Sequence, residues 1–99
     1  MTVYVNDVEH RFHGMTMNRM WADSIDELLT MATKIGVNHR WLRQPPIASW
    51  THFDITINKK ELAVNYGAIL TDKYGPSEHV AKLVGDTDML GKIAKCRVL

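Results

Sequence analysis

A helix with both of its ends written into the chain is the strongest constraint this sequence places on its fold. Ser24-Ile25-Asp26-Glu27 has the spacing of a capping box, in which the serine oxygen accepts from an early amide and the glutamate reaches back. Ile25, Leu28, Leu29, Ala32 and Ile35 then fall on one face, and Gly36 followed by Val37 supplies the left-handed residue and apolar partner that stop a helix. An amphipathic helix over residues 24–35 needs an apolar layer to cover, and its neighbours in sequence supply strands.

Thr2 to Val5 is a β-branched and aromatic run ended by Asn6-Asp7, which reads as a strand and a turn. In residues 8–21, Gly14 and scattered charges suggest a loop, while Met15, Met17 and Trp21 alternate as a second strand would. A short strand is expected over residues 39–42, followed by a loop at Pro45-Pro46, which cannot donate ladder hydrogen bonds. Residues 50–57 alternate, with Phe53, Ile55 and Ile57 on one side and Trp50, His52, Asp54 and Thr56 on the other. Asn58 with Glu61 repeats the cap logic for a helix over residues 59–66, stopped by Gly67. Ala68-Ile69-Leu70 reads as a buried strand, and Pro76 suits the first turn of a helix reaching Val84. Asp86 caps a last helix to about Ala94, weakened by Gly91, with a tail or edge strand from Cys96 to Leu99.

Strands alternating with helices predict an α/β fold. It should be a compact single layer-type domain over residues 1–99, with a short, mostly parallel sheet, right-handed crossovers and three or four helices. A hydrophobic fraction of 45% and a charged fraction of 23% are ordinary for one globular domain. A formal charge of +1 gives no global field for nucleic acid or an anionic membrane, so any such contact must be local. Cys96 is the only cysteine, which excludes an internal disulfide and a paired-cysteine zinc motif and fits a reducing cytoplasm. The first residues turn polar too soon for a signal peptide and no apolar run reaches membrane-spanning length, so a cytoplasmic location is expected. The sequence specifies no oligomeric state.

In open parallel sheets ligands bind beyond the carboxyl ends of the strands. On that reading Asn6-Asp7, Arg43-Gln44 and Asp72-Lys73-Tyr74 converge on one rim. His52 and Asp54 share a pleat face about 7 Å apart, with Trp50 beside them. A carboxylate next to an imidazole orients it for acid–base work or for a metal. Asp7, His52 and Asp54 are therefore the candidate catalytic residues. Lys73-Tyr74-Gly75-Pro76-Ser77, leading into a helix N-terminus, has the parts of an anion site, without the glycine pattern of a nucleotide-binding loop. Arg40, Trp41 and Arg43, with Lys59 and Lys60, mix cations and an aromatic ring as single-strand binders do, although a tryptophan here reads first as core. The five histidines lack helical metal-ligand spacing, His10 and His13 fall in an uncertain loop, and His79 reads as a surface residue. No nucleophile elbow is present, and Cys96 has no histidine partner in the sequence.

The runs Val3-Tyr4-Val5-Asn6-Asp7, Trp21-Ala22-Asp23-Ser24, Ile35-Gly36-Val37, Arg40-Trp41 and Trp50-Thr51-His52-Phe53-Asp54, with Lys59-Lys60, Ala63, Gly67 and Ala68, carry a resemblance. Over residues 3–75 the chain resembles a family of small bacterial and phage proteins, domain of unknown function 4031. The resemblance implies a bacterial or phage cytoplasm and a site around Asp7, Asp23, Arg40, His52 and Asp54, and it supplies no reaction. Members tend to carry two acidic residues after the first strand and a tyrosine in the histidine–aspartate segment. Asn6 and Phe53 stand there in this chain, which removes one carboxylate from a metal pair.

Three functions follow as expectations. The first is binding or processing of a phosphate-bearing small molecule, such as a nucleotide, with Arg40, Lys73, Tyr74 and Asp23 as ligand-binding residues. The second is a nuclease or phosphohydrolase using a divalent metal at Asp7, His52 and Asp54. The third is a phage-encoded interaction module presenting Met15, Met17, Met20 and Trp21.

Overall fold

A computed structural model describes residues 2–12 and 14–98; His13 and its expected place in a loop lie outside the described residues. The described residues form five strands and four α-helices. In order they are β1 (Val3–Asn6), β2 (His10–Phe12), β3 (Met15–Ala22), α1 (Ile25–Ile35), β4 (Phe53–Thr56), α2 (Ile57–Asn65), β5 (Ile69–Thr71), α3 (Gly75–Val84) and α4 (Thr87–Arg97). The compact α/β expectation holds, but the sheet is not mostly parallel. β1, β2 and β4 all run antiparallel to β3, and only β1 with β5 is parallel. The second strand expected over residues 15–21 is present as β3, but residues 10–12 on the side expected to be loop pair with it as a hairpin, with Gly14 at φ 77° between the two strands.

Met20 is opposite both Val5 of β1 and Phe53 of β4, and Met17 is opposite both His10 of β2 and Thr56 of β4. A residue has one neighbour on each side, so β1 and β2 share one edge of β3 and β4 occupies the other. The paired positions sum to 25 along β1 and to 27 along β2, a two-residue offset that makes residues 7–9 a bulge. Two buried asparagines hold it. The Asn6 side-chain oxygen accepts from the Arg19 amide at 2.9 Å, and the Asn18 amide donates to the Asn6 and Val8 carbonyls at 3.1 and 3.2 Å. Asn6 thus closes the strand from within the sheet rather than lying in a free turn.

One face of the sheet is apolar. Val3, Val5, Met20, Ala22, Phe53 and Ile55 point to it and meet Leu28, Met31, Ala32 and Ile35 of α1 and Ala63 of α2. α1 starts and stops where its sequence says: Ser24 Oγ accepts from Glu27 N, Gly36 is left-handed, and the Val37 amide reaches the Ala32 carbonyl at 2.8 Å. Lys59 adds a bond from α2, its Nζ donating to the Ile35 carbonyl at 2.7 Å, a cation on the negative end of α1.

The opposite face carries Tyr4, Arg19, Trp21 and Asp54, and α3 lies over part of it. Gly75 lets α3 approach, since a Cβ there would stand 2.9 Å from Thr71 Cβ and 3.0 Å from the Trp21 ring. α4 packs on α3 through buried Ile93 and returns Arg97 to pair with Asp72 and Glu78. Pro76 sits in the first turn of α3 as expected.

Several local expectations change. Residues 39–42 are not a strand: His39–Trp41 form a 3-10 turn capped by the Asn38 side chain, because Asn38 can bond the Arg40 amide two residues on. No crossover strand precedes Arg43, whose backbone instead bridges to His52. α2 begins at Ile57 with Thr56 as its cap, two residues earlier than Asn58 suggested. Ile69 and Leu70 are half exposed rather than buried, since β5 is an edge strand paired only with β1. Residues from Cys96 to Arg97 continue α4 instead of forming a strand.

Candidate functional site

The register of β3 and β4 puts Arg19 directly opposite Asp54, on the sheet face away from α1 and α2. Around this pair the chain gathers side chains from four segments. His10 Nε2 lies 3.0 Å from Asp54 Oδ1, Arg19 Nε 3.9 Å from Oδ1, Arg43 Nε 3.8 Å from Oδ2 and His52 Nε2 3.8 Å from Oδ1. A carboxylate only accepts, so the His10 contact is an Nε2–H donating to Asp54. The Asp54 side chain is 9% exposed against 41% for Arg19 and 37% for Arg43, so the carboxylate sits at the bottom and the guanidinium groups reach solvent. Arg19 Nε has no hydrogen-bond partner among the described residues.

His52 is fixed from two sides. Its Nδ1 is 3.0 Å from the Trp50 carbonyl, which can only accept, so Nδ1 carries the proton and Nε2 is the nitrogen facing Asp54. Trp50 also stacks on the imidazole at 4.4 Å. Burial pushes the His52 pKa down; the Trp50 carbonyl and the Asp54 carboxylate pull it back, and Arg19 and Arg43 push it down again. The result is a neutral imidazole near neutral pH whose unprotonated Nε2 faces the Asp54 carboxylate, beside two guanidinium groups. Such a set can take a proton from a hydroxyl and stabilise negative charge that develops nearby.

An aromatic layer continues from Trp50 under α3. Trp21 stacks on Tyr4 at 5.9 Å and meets Trp50 edge-on at 5.6 Å, and the His79 ring lies 6.2 Å from Trp21 and 5.9 Å from Trp50. His79 is therefore half-buried against the aromatic layer rather than free on the surface, and this burial lowers its pKa. Both histidines titrate below the ordinary imidazole value of 6.5 because the folded chain keeps them out of water. The unfolded chain then binds protons first as the pH falls, so stability is full above 6.5 and declines as the pH drops through that value toward the depressed native pKa values. Urea midpoints measured across this range should fall toward acid, and His79→Gln should give a shallower fall. A midpoint independent of pH from 7.5 down to about 5 would remove this account.

The other residues singled out in the sequence lie apart from these contacts. Asp7 is exposed in the bulge, its amide donating to the Thr71 carbonyl, so the ends of β1 and β5 do meet as expected of parallel neighbours. The Asp23 carboxylate accepts from the Tyr4 hydroxyl at 3.1 Å and lines a cavity of about 100 Å3 with Trp21, Gly75, His79 and Lys82. The Arg40 guanidinium lies over the Trp41 ring at 4.9 Å, and the Lys73 ammonium stands 5.2 Å from the Tyr74 ring. At the start of α3 the carboxylate of Asp72 bonds the Tyr74 amide at 3.0 Å and takes two bonds from Arg97, which hold its pKa below the usual value. The chain thus supplies its own anion at the helix start read as an anion site. Met20 and Trp21 are buried and Met17 is half-buried, which leaves Met15 as the open member of the methionine-rich segment.

Sequence reasoning found His52 and Asp54 and did not find His10, Arg19 or Arg43 as their partners. Arg19 and Trp21 alternate with buried Met20, a signal for their shared face, but the pairing of β3 with β4 was needed to set Arg19 against Asp54.

No curated protein and no solved structure shows a significant match to the chain. A family model described as "Protein of unknown function (DUF4031)" matches residues 3–84, which take in all five strands and the helices through α3. With most of its length matched in this way, the chain belongs to the DUF4031 family.

Proposed function

We propose that this chain binds a phosphate-bearing small molecule on the sheet face around Asp54 and performs acid–base chemistry on it through His52. The observation that carries the reading is the geometry of the cluster: two guanidinium groups that reach solvent converge on the Asp54 carboxylate at its base, next to the neutral imidazole of His52. Arg19 and Arg43 take the anchoring role that the sequence suggested for Arg40 and Lys73, with Asp54 setting their orientation. His52 Nε2 accepts the proton of a water or hydroxyl as its oxygen attacks phosphorus, the ester P–O bond breaks and the departing oxygen takes that proton or leaves as the anion, and the arginines stabilise the charge that builds on the phosphoryl oxygens. Among the described residues no group of three or more His, Cys, Asp or Glu side chains is arranged to hold a metal ion. That favours arginine anchoring over a divalent metal at Asp7, His52 and Asp54. The lone, exposed Cys96 fits a reducing cytoplasm as the setting.

Calorimetric titration with inorganic phosphate tests the binding half. The intact chain should bind, and Arg19→Ala should weaken binding about tenfold, the scale of one charge-assisted contact. His52→Gln should retain binding while turnover of bis(p-nitrophenyl) phosphate falls by roughly 10²–10⁴-fold, the contribution of one general base. Absence of phosphate binding by the intact chain overturns the reading, and unchanged turnover in His52→Gln removes the histidine from the chemistry.

A further inference from the structure

Trp41 is the largest side chain the fold leaves in solvent, 60% exposed, although a tryptophan at this place in the sequence reads as core. Its backbone is held firmly. Val37 and Leu42 on either side of the 3-10 turn pack against the core, the Asn38 side chain bonds the Arg40 amide, and Arg43 exchanges two 2.9 Å backbone bonds with His52. An aromatic ring presented outward from a backbone pinned at both ends is a fixed platform. Pro45 and Pro46, with their locked φ angles, stiffen the loop that follows. Trp41, Arg43 and both prolines line an open cavity of about 340 Å3, within the size range of small-ligand pockets.

The platform is also cationic. Arg40 lies over the Trp41 ring at 4.9 Å, a cation beside an indole that is more than half in solvent, as base-stacking sites present them. Trp41 and Arg43 are two residues apart, which limits their Cα separation to about 7 Å, and Arg43 is the residue shared by this cavity and the Asp54 cluster. One ligand with a planar ring at one end and a phosphate at the other spans the two.

We propose that the loop carrying Trp41 is a nucleobase-stacking subsite, so that the phosphate-bearing ligand of the Asp54 cluster is a nucleotide, free or within a single strand. The inference rests on the phosphate reading above, for which the cluster supplies the anchor. Stacking accounts for the exposed ring, the cation on its face and the shared Arg43 together, whereas a sugar phosphate would leave the platform unused. A net charge of +1 gives no long basic track, which fits contact with one or two nucleotides rather than a long polymer.

Titration of the full chain with adenosine 5′-monophosphate, ribose 5-phosphate and octathymidylate separates the outcomes. Adenosine monophosphate should bind about tenfold or more tighter than ribose 5-phosphate, the usual worth of stacking one base, and Trp41→Ala should erase that difference. Arg19→Ala should weaken both monophosphates alike. Octathymidylate binding more tightly than the mononucleotide, with the same loss in Trp41→Ala, assigns the subsite to single strands; the reverse order assigns it to free nucleotides. If ribose 5-phosphate binds as well as adenosine monophosphate and Trp41→Ala changes neither, the stacking subsite is wrong while the phosphate site stands. If none of the three binds, both are wrong. Trp41 is exposed, so its substitution leaves the fold intact, and an unchanged thermal midpoint confirms that a loss of binding is local.

Discussion

Trp21→Ala should destabilise the chain by about 3–5 kcal/mol, the range for emptying a large aromatic site in a core. Trp21 is 2% exposed and stands at the centre of the second layer, where Tyr4, Trp50 and His79 all touch its ring. The sheet face toward α1 and α2 is sealed by many aliphatic side chains, so a loss there is shared. On the opposite face Trp21 is the main surface on which α3 rests, and Gly75 is shaped to meet it. The vacated site cannot collapse, because β3 is held in register on both edges by β1, β2 and β4. Urea denaturation of the variant should show the loss, and limited proteolysis should cut first near α3 and α4. A cost under about 1 kcal/mol would mean that the aromatic layer contributes little and that α3 docks by other contacts.

The parts of the fold that could be read from the sequence are those fixed by neighbours in the chain. The Ser24 cap, the Gly36 stop and the apolar stripe between them all involve residues within a few positions of each other, and α1 appears where they place it. The alternation that set Phe53 and Ile55 apart from His52 and Asp54 is likewise local, and it gives the faces but not the burial, since His52 and Trp50 are buried on their side as well. Strand direction is a different matter. Whether β3 returns antiparallel along β1 or crosses to lie parallel depends on pairings between residues 15 to 19 positions apart, which helix–strand alternation does not encode. Gly14 and the bulge at residues 7–9 decide it, and the bulge depends on Asn6 and Asn18 meeting across the sheet.

The same distinction explains the site. His52 and Asp54 are two residues apart on one pleat and so were visible together. Their partners come from β2, β3 and the segment after the 3-10 turn, and only the antiparallel register of β3 with β4 brings them in. A parallel sheet would have set the strand ends as the meeting point and given Arg40 and Lys73 the central place. In the sheet as it stands, the polar residues converge across the strands rather than at their tips.

This arrangement makes Asp54 the residue whose charge matters most, and Asp54→Asn should expose that directly. The substitution keeps shape and one acceptor oxygen but removes the carboxylate on which His10, Arg19, Arg43 and His52 converge. Removing one partner of a fully buried pair costs about 3–5 kcal/mol; both guanidinium groups reach solvent here, so about 1–3 kcal/mol is expected. The stranded positive charge then favours any oxyanion that can take the place of the carboxylate. Phosphate at a hundred times its dissociation constant stabilises a folded protein by about 2.7 kcal/mol, enough to restore most of the loss. Thermal or urea midpoints of Asp54→Asn should therefore rise with phosphate much more than with chloride at equal ionic strength, and Arg19→Ala in the same background should cancel the rise. Equal responses to phosphate and chloride would show that the cluster screens charge without a defined anion position, and the phosphate reading of the site would fall with it.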